Sequence, residues 1–124
     1  DEDNYILAPF HAKDDFKWMA ENNIKIMFFG HTHYQVIYKK NKKDAIEIVF
    51  NKRITLKSDS LYLINPGSIG QPRDSDPRAS FLLFDSNNMN IEIIRYEYSI
   101  KTTQKKIHDN DLPGFLADRL TYGR

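Results

Sequence analysis

The sequence predicts a layered α/β fold that is largely β, with a helix before the first strand and helices at the C-terminus. In segment 12–22, apolar residues recur at three- and four-residue spacing, which is typical of an amphipathic helix. Two apolar runs, 24–29 and 61–64, each end at a turn-forming segment that contains glycine, as buried strands do. After residue 33 the pattern changes to period two, which indicates further strands.

The elements follow in order along the chain. The first helix is predicted over 12–22, because Phe16 and Met19 share one face and Asp14 and Asp15 suit the positive end of the helix dipole. Strand 24–29 follows at once. A hairpin follows, with strands 34–38 and 46–50 and tip 39–44. Further strands are predicted at 53–57, 60–64, 79–84 and 90–98, with a turn at 86–88. Helices are predicted at 100–108 and 113–121, the second with Pro113 in its first turn.

Composition limits the kinds of partner to expect. The chain has 124 residues, is 40% hydrophobic and 28% charged, and has a net charge of +1, which gives no reason to expect a nucleic-acid or membrane partner. The lysine run 39–43 could bind nucleic acid or polyphosphate, but a solvated hairpin tip is the favoured interpretation. The sequence has no cysteine, so it has no disulfide or thiolate site, as expected for a cytoplasmic protein. No signal-peptide pattern or membrane-length apolar run is present.

Two histidines at spacing two are the main candidate site. Gly30-His31-Thr32-His33 follows the apolar run 24–29. In an extended segment, residues two apart point the same way, so His31 and His33 would share one side and Thr32 would point away. Neutral imidazole is a common metal ligand. The alternative is a polar loop at the end of a sheet.

A second segment converges on the same edge in this interpretation. The run 61–64 leads into Asn65-Pro66-Gly67-Ser68-Ile69-Gly70, and sites in layered α/β proteins cluster at strand ends. Small residues there would let the backbone approach a metal or phosphate closely. The alternative is a tight turn in which Gly67 and Gly70 adopt angles that other residues avoid.

Together these segments resemble the calcineurin-like metallophosphoesterase superfamily, and most closely its small bacterial and archaeal phosphodiesterases. The resemblance rests on the strand followed by Gly30-His31-Thr32-His33, the β-rich stretch, the Asn65-Pro66-Gly67-Ser68 loop and the tail 112–120. It implies a four-layer αββα sandwich. It also implies a hydrolase that cleaves phosphodiester or phosphomonoester substrates with a hydroxide held between two divalent metal ions (manganese, iron, zinc or nickel).

The resemblance assigns His31 to one metal and His33 to the other. It makes Gly30, Thr32, Asn65, Gly67 and Ser68 the wall around them. It identifies no catalytic residue in this chain. The family's earlier motifs, Asp-x-His, a Gly-Asp pair and Gly-Asn-His-Asp/Glu, do not occur here. Residues 1–124 are therefore expected to be the C-terminal portion of one domain, inactive without its N-terminal part. A non-catalytic interaction scaffold on the same fold is the alternative.

Other polar residues are weaker candidates. Arg73 and Arg78 could contact a substrate phosphate, since guanidinium groups suit phosphate, but local ion pairing with Asp74 and Asp76 on a solvated loop is favoured. Those two aspartates are minor candidates as metal ligands.

Two further histidines complete the candidates. His11 could be the family's lone ligand histidine, but a helix follows it where the family has a small residue, then Ser or Thr and Pro. His108 is expected on a solvated helix surface.

Overall fold

Two β-sheets and three helices make up the described chain. The computed structural model describes residues 5–124; residues 1–4, which belong to the predicted domain, lie outside this range. The elements are α1 (Lys13–Glu21), β1 (Ile26–Phe28), β2 (Val36–Lys40), β3 (Ile46–Ile48), β4 (Arg53–Thr55), β5 (Leu61–Asn65), β6 (Ala79–Asp85), β7 (Asn90–Tyr96), α2 (Ile100–Asp109) and α3 (Phe115–Tyr122). The predicted mixed α/β class and the order of helix, strands and helical tail are confirmed.

The first sheet brings the two candidate loops to one edge. Its strand order is β1-β5-β2-β3. Strands β1 and β5 are parallel, with Phe28 opposite Ile64, whereas β2 is antiparallel to both β5 and β3. Because β1 and β5 run in the same direction, their carboxyl ends lie side by side. The loop that contains Gly30 and the loop that starts at Pro66 therefore begin next to each other.

The second sheet has the order β4-β7-β6 and is antiparallel throughout. Strands β6 and β7 form a long hairpin that runs from Ala79 opposite Tyr96 to Asp85 opposite Asn90. The carboxylate of Asp85 accepts hydrogen bonds from the backbone N–H groups of Asn87 (2.9 Å) and Asn88 (3.2 Å). The turn predicted at 86–88 is therefore present and is closed by an aspartate side chain.

Two apolar layers hold these elements together. The first lies between α1 and one face of the first sheet, and its buried members are Ala12, Phe16, Met19, Val36, Tyr38 and Leu63. The second involves both sheets, and its buried members are Ile37, Leu56, Tyr62, Ile64, Ile91 and Ile93. Strands β2 and β5 contribute to both layers and are buried on both faces, which explains why β5 reads as a continuous apolar run.

Several predicted element boundaries are wrong. Strand β1 is shorter than the predicted 24–29, and β3 ends at Ile48 rather than at residue 50. Lys39 and Lys40 lie in β2, not at the hairpin tip, because they pair across the strands with Glu47 and Ile46. A 2.8 Å ion pair between Lys39 and Glu47 supports that register.

The helical tail packs as a hairpin and contacts the loop between β5 and β6. Gln104 of α2 donates hydrogen bonds to the carbonyl of Ala117 (2.9 Å) and the hydroxyl of Thr121 (3.0 Å) in α3. Helix α3 ends at Gly123, whose left-handed backbone (φ 63°) is typical of a C-terminal cap. The carbonyl of Gly123 accepts a hydrogen bond from the N–H of Ser75 (3.0 Å).

The start of α3 differs from the prediction. Pro113 was predicted in the first turn, but α3 begins at Phe115 after the cap residue Gly114. The carbonyl of Pro113 accepts from the N–H of Leu116 (3.0 Å), so a three-residue turn precedes the α-helical bonds. Among residues 5–124, none of the helices has the length and apolar composition needed to cross a membrane.

Candidate metal-binding site

Asn65, the last residue of β5, joins the two candidate loops. It is fully buried. Its side-chain amide donates hydrogen bonds to the carbonyl of Gly30 (3.3 Å) and the hydroxyl of Thr32 (2.9 Å). Its side-chain carbonyl accepts from the N–H of Gly67 (2.9 Å). One side chain therefore fixes two loops relative to each other: the histidine loop, residues 30–33, and the glycine loop, residues 66–70.

Thr32 lies inside the protein between the two histidines. It is 6% exposed, and its hydroxyl also accepts from the N–H of Tyr34 (3.3 Å). Burial of Thr32 leaves its flanking residues at the loop surface, where His31 and His33 both line a cleft. The structure thus brings together the two histidines singled out in the sequence.

The backbone of the histidine loop is not extended, so that part of the sequence interpretation is wrong. His31 and His33 both have left-handed backbone angles, with φ of 70° and 59°. The N–H of Thr32 donates to the carbonyl of Gly30 (2.8 Å), which closes a tight turn directly after β1. Left-handed angles cost a non-glycine residue roughly 1–2 kcal/mol. Turns elsewhere in the described chain have them too, at Asn23, Asp44, Ser75, Met89 and Asp111.

The ring of His33 is fixed by a main-chain carbonyl. Its Nδ1 lies 2.8 Å from the carbonyl oxygen of Gln71. A carbonyl only accepts, so Nδ1 carries the proton, and in the neutral ring Nε2 keeps its lone pair. Metal-bound histidines typically donate their other ring N–H to a carbonyl or carboxylate in this way. The carbonyl of His33 also accepts from the N–H of Arg73 (3.2 Å).

His31 is held differently. Its ring packs against Tyr5, with centroids 4.6 Å apart and an angle of 33° between the planes. The two imidazoles are therefore positioned by different neighbours, one by an aromatic ring and the other by the 71–73 backbone.

The cleft beside the histidines has a volume of about 640 Å³. Its lining combines residues 66–69 with aromatic residues from both sheets, Phe28, Phe81 and Phe84. The rings of Phe28 and Phe84 are 6.0 Å apart, so the two sheets meet at this cleft. The lining of the cleft is mostly apolar, and His31 and His33 are among its polar members.

Gly67 is the tightest point of the cleft wall. Its φ is +85°, and a Cβ at this position would lie 2.9 Å from the Cβ of Ser80 and 3.2 Å from that of Gln35. The unusual backbone angle expected of a tight turn is thus present at Gly67, whereas Gly70 has no left-handed φ and no described atom within 4 Å of a Cβ placed there. The wall is also bonded to the second sheet, since the carbonyl of Ser68 accepts from the N–H of Ser80 (2.8 Å).

Ser80 is a polar residue of the cleft that sequence reasoning missed. It is 2% exposed, and its hydroxyl has no hydrogen-bond partner within residues 5–124. It begins the apolar run of β6, where a serine gives no sequence signal of its own.

The loop 71–78 pairs only partly within itself. Arg78 binds Asp76 through two nitrogens (2.6 and 2.9 Å), as local pairing predicts, and these bonds lower the pKa of Asp76 to about 2. Arg73 is exposed, lies outside the cleft lining and donates to the side chain of Gln71 (2.8 Å).

Asp74 departs from the local pairing expected in this loop. It binds Arg95 of β7 with both carboxylate oxygens. The side chains of Arg95 and Asp74 are only 6% and 7% exposed. The buried role of Arg95 was not predicted from the sequence, although Ile91, Ile93 and Arg95 are every second residue of β7 and therefore share one face. A charged residue in such an inward series predicts a buried partner.

The remaining histidines lie away from the cleft. His11 is exposed and its Nδ1 accepts from the N–H of Leu7 (3.2 Å). His108 is exposed in the last turn of α2. Neither belongs to the cleft lining.

The donor set suits a metal but is small. Within the described range 5–124, no group of three or more His, Cys, Asp or Glu side chains is placed to hold a metal ion. The fixed ring of His33 and the neighbouring imidazole of His31 fit a metal as two nitrogen ligands. Under the assignment made from the resemblance, each would supply one nitrogen ligand to its metal.

Comparison with known proteins gives consistent matches. Residues 7–89 match the calcineurin-like phosphoesterase superfamily domain. An uncharacterised protein of Methanocaldococcus jannaschii is 42% identical over 118 residues, which are 95% of this chain and 45% of that protein. The crystal structure of a metallophosphoesterase from Sphaerobacter thermophilus aligns with a TM-score of 0.72 and 34% identity, over 81% of this chain and 43% of that one. The chain thus spans less than half the length of these relatives.

Proposed function

As the chain belongs to the calcineurin-like phosphoesterase superfamily, we propose that it carries part of the metal centre of a phosphoesterase, with His31 and His33 as the ligands. The observation that carries this proposal is the hydrogen bond from Nδ1 of His33 to the carbonyl of Gln71. It fixes the tautomer in which Nε2 is available to a metal ion.

The proposed substrate is a phosphate ester, with phosphodiesters as the first class to test. Divalent ions bound at such a site would acidify water and neutralise charge on the phosphoryl group. The chain's own part is to hold the two imidazoles in the cleft lining and to shape the cleft. Gly67 and Ser68 present backbone rather than bulky side chains there, so a phosphate group could approach closely.

Arg73 is proposed as a contact to the substrate phosphate. It follows the carbonyl that holds His33 by two residues, and its guanidinium is exposed. Its hydrogen bond to the Gln71 side chain is solvent-exposed, so exchanging it for a phosphate oxygen costs little.

The site requires ligands beyond those in this chain. Two imidazoles leave most positions around a divalent ion open, and within residues 5–124 no carboxylate or further histidine joins them. The relatives are more than twice as long as the matched region. We propose that the remaining ligands come from a further part of the same domain.

The test is metal-dependent turnover by the full-length protein. With Mn²⁺ present it should hydrolyse a chromogenic phosphodiester, and His31→Ala and His33→Ala should each lower kcat/KM by at least about 100-fold. His108→Ala is the matched control, because His108 is exposed and far along the chain from the cleft; its turnover should be unchanged. Wild-type turnover in both cleft variants would refute the site. If the wild type shows no turnover and does not bind Mn²⁺, the scaffold alternative is favoured.

A further inference from the structure

A buried ion pair connects the second sheet to the segment that holds His33. Arg95 of β7 binds both carboxylate oxygens of Asp74, with 3.2 Å between its Nη1 and Oδ1. Both side chains are more than nine-tenths buried. Such an Arg–carboxylate pair is held in a fixed planar geometry, so the position of Asp74 is set by β7.

Asp74 in turn acts on the chain that leaves the histidine loop. Its Oδ2 accepts a hydrogen bond from the N–H of Gln35 (3.3 Å), two residues after His33. Gln35 directly precedes β2 in the first sheet. The ion pair therefore bridges the two sheets next to the candidate site.

The residues just before Asp74 hold His33 itself. The carbonyl of Gln71 accepts from Nδ1 of the His33 ring (2.8 Å), and the N–H of Arg73 donates to the carbonyl of His33 (3.2 Å). Segment 71–74 thus contacts His33 at its ring and its backbone. Within residues 5–124 this segment belongs to no strand. Ser68 Oγ accepts from the N–H of Gln71 at one end (3.0 Å), and Arg95 binds Asp74 at the other.

Arg95 also fixes the segment beyond Asp74. Its Nη1 lies 3.5 Å from the carbonyl of Asp76 and 3.3 Å from that of Arg78. Without Asp74, the buried guanidinium would lose its closest anion and retain Asp76, whose carboxylate is 3.8 Å from Nε. A buried charge that loses its partner is costly, and the whole 74–78 segment would rearrange around it.

We propose that Arg95, acting through Asp74, is a positioning residue for His33. The pair fixes the carbonyl of Gln71, and that carbonyl keeps the proton of His33 on Nδ1 and directs Nε2 to a metal. This inference rests on the proposed role of His33 as a ligand. The tautomer of His33, however, is a property of the protein without metal and is measured separately.

The experiment compares Arg95→Lys and Asp74→Asn with a matched control in the full-length protein. Arg95→Lys keeps the charge and loses the two-nitrogen geometry, whereas Asp74→Asn keeps an acceptor for Gln35 and removes the charge. The control is Arg53→Lys, because Arg53 forms an exposed 2.6 Å pair with Glu92 of the same strand β7.

Two measurements are made on each protein. Long-range ¹H–¹⁵N spectra of the metal-free protein give the His33 tautomer, and calorimetric titration gives the affinity for Mn²⁺. We expect the Nδ1–H form in the wild type and in Arg53→Lys. In the two test variants we expect a mixture with the Nε2–H form and an Mn²⁺ affinity reduced by roughly 10- to 100-fold.

The outcomes separate this inference from the proposed function. An Nε2–H tautomer in the wild type overturns the inference without any variant. The Nδ1–H form and unchanged Mn²⁺ affinity in either test variant also overturn it, so one folded variant suffices. An Mn²⁺ affinity that His33→Ala leaves unchanged refutes the ligand role instead, whatever the tautomer shows.

Discussion

The side-chain amide of Asn65 donates a 2.9 Å hydrogen bond to the hydroxyl of Thr32, and both residues are buried. The bond joins the loops that follow two parallel neighbouring strands, β1 and β5. The residue between the two histidines is thus part of the interior, and the loop is held from inside while its histidines face the cleft.

Thr32→Val should destabilise the protein, because valine fills the same volume but cannot accept the Asn65 hydrogen bond. An unsatisfied buried donor costs about 1–3 kcal/mol, measured as the free energy of unfolding in urea. Thr55→Val is the matched control, since Thr55 makes a solvent-exposed hydrogen bond to Asn90 (2.7 Å); it should change stability by less than about 0.5 kcal/mol. Equal effects in both variants would contradict this role of Thr32.

Gly67→Ala should be costly for two reasons. The φ of +85° is unfavourable for alanine, and the new methyl would lie 2.9 Å from the Cβ of Ser80. We expect a loss of about 1–3 kcal/mol in the free energy of unfolding. Gly70→Ala, in the same loop but with nothing within 4 Å, should have little effect. A Gly67→Ala protein as stable as Gly70→Ala would show that the loop can move away from Ser80.

His31→Gly should be more stable than His31→Ala. Both variants lose the ring that packs on Tyr5, so their difference reports the backbone alone. With φ at 70°, glycine should have an advantage of about 1–2 kcal/mol, measurable by urea unfolding. If the alanine variant is equally stable, the left-handed backbone at this position is not strained.

Asp76 should make stability depend on pH in the acid range. Hydrogen bonds from Arg78 are the main cause that lowers its pKa from 3.8 to about 2 in the folded protein. A lowered folded-state pKa stabilises the protein above the unfolded value, and the stabilisation is lost as the pH falls through the folded value. It should therefore be full above about pH 5 and decline towards pH 2.

The measurement is urea unfolding of the wild type and Asp76→Asn at several pH values. The wild type should be more stable at pH 7 by at most about 2 kcal/mol, and the difference should shrink on going from pH 5 to pH 2. Asp44→Asn is a suitable control, because Asp44 is largely exposed in its pair with Lys40. A wild-type advantage that persists at pH 2 would contradict the role of Asp76.

The sequence was sufficient to predict the order of the elements and the neighbouring position of the two loops. Apolar runs that end in turn residues mark β1 and β5, and parallel pairing of these strands places Gly30 beside Asn65. The backbone of the histidine loop could not be predicted, because positive φ is uncommon for a non-glycine residue and no glycine or asparagine at positions 31 and 33 indicates it.

The loop after β5 shows a second limit of sequence reasoning. Alternating charges in 73–78 favour local pairs, and Asp76 with Arg78 is one. Asp74 instead binds Arg95, 21 residues further along the chain. The partner is chosen by burial on the inner face of β7, which residue spacing alone does not reveal. The assignment of His31 and His33 as metal ligands stays a prediction.

The burial of Thr32 between two cleft residues has a consequence for how this loop tolerates mutation. In a library of single substitutions at every position, changes at His31 and His33 should leave protein abundance near the wild-type level and reduce only the activity of the protein that is made. Changes at Thr32 and Asn65 should deplete the protein itself, because they open the interior. Abundance and activity scores should therefore alternate from one residue to the next along the three successive positions His31, Thr32 and His33.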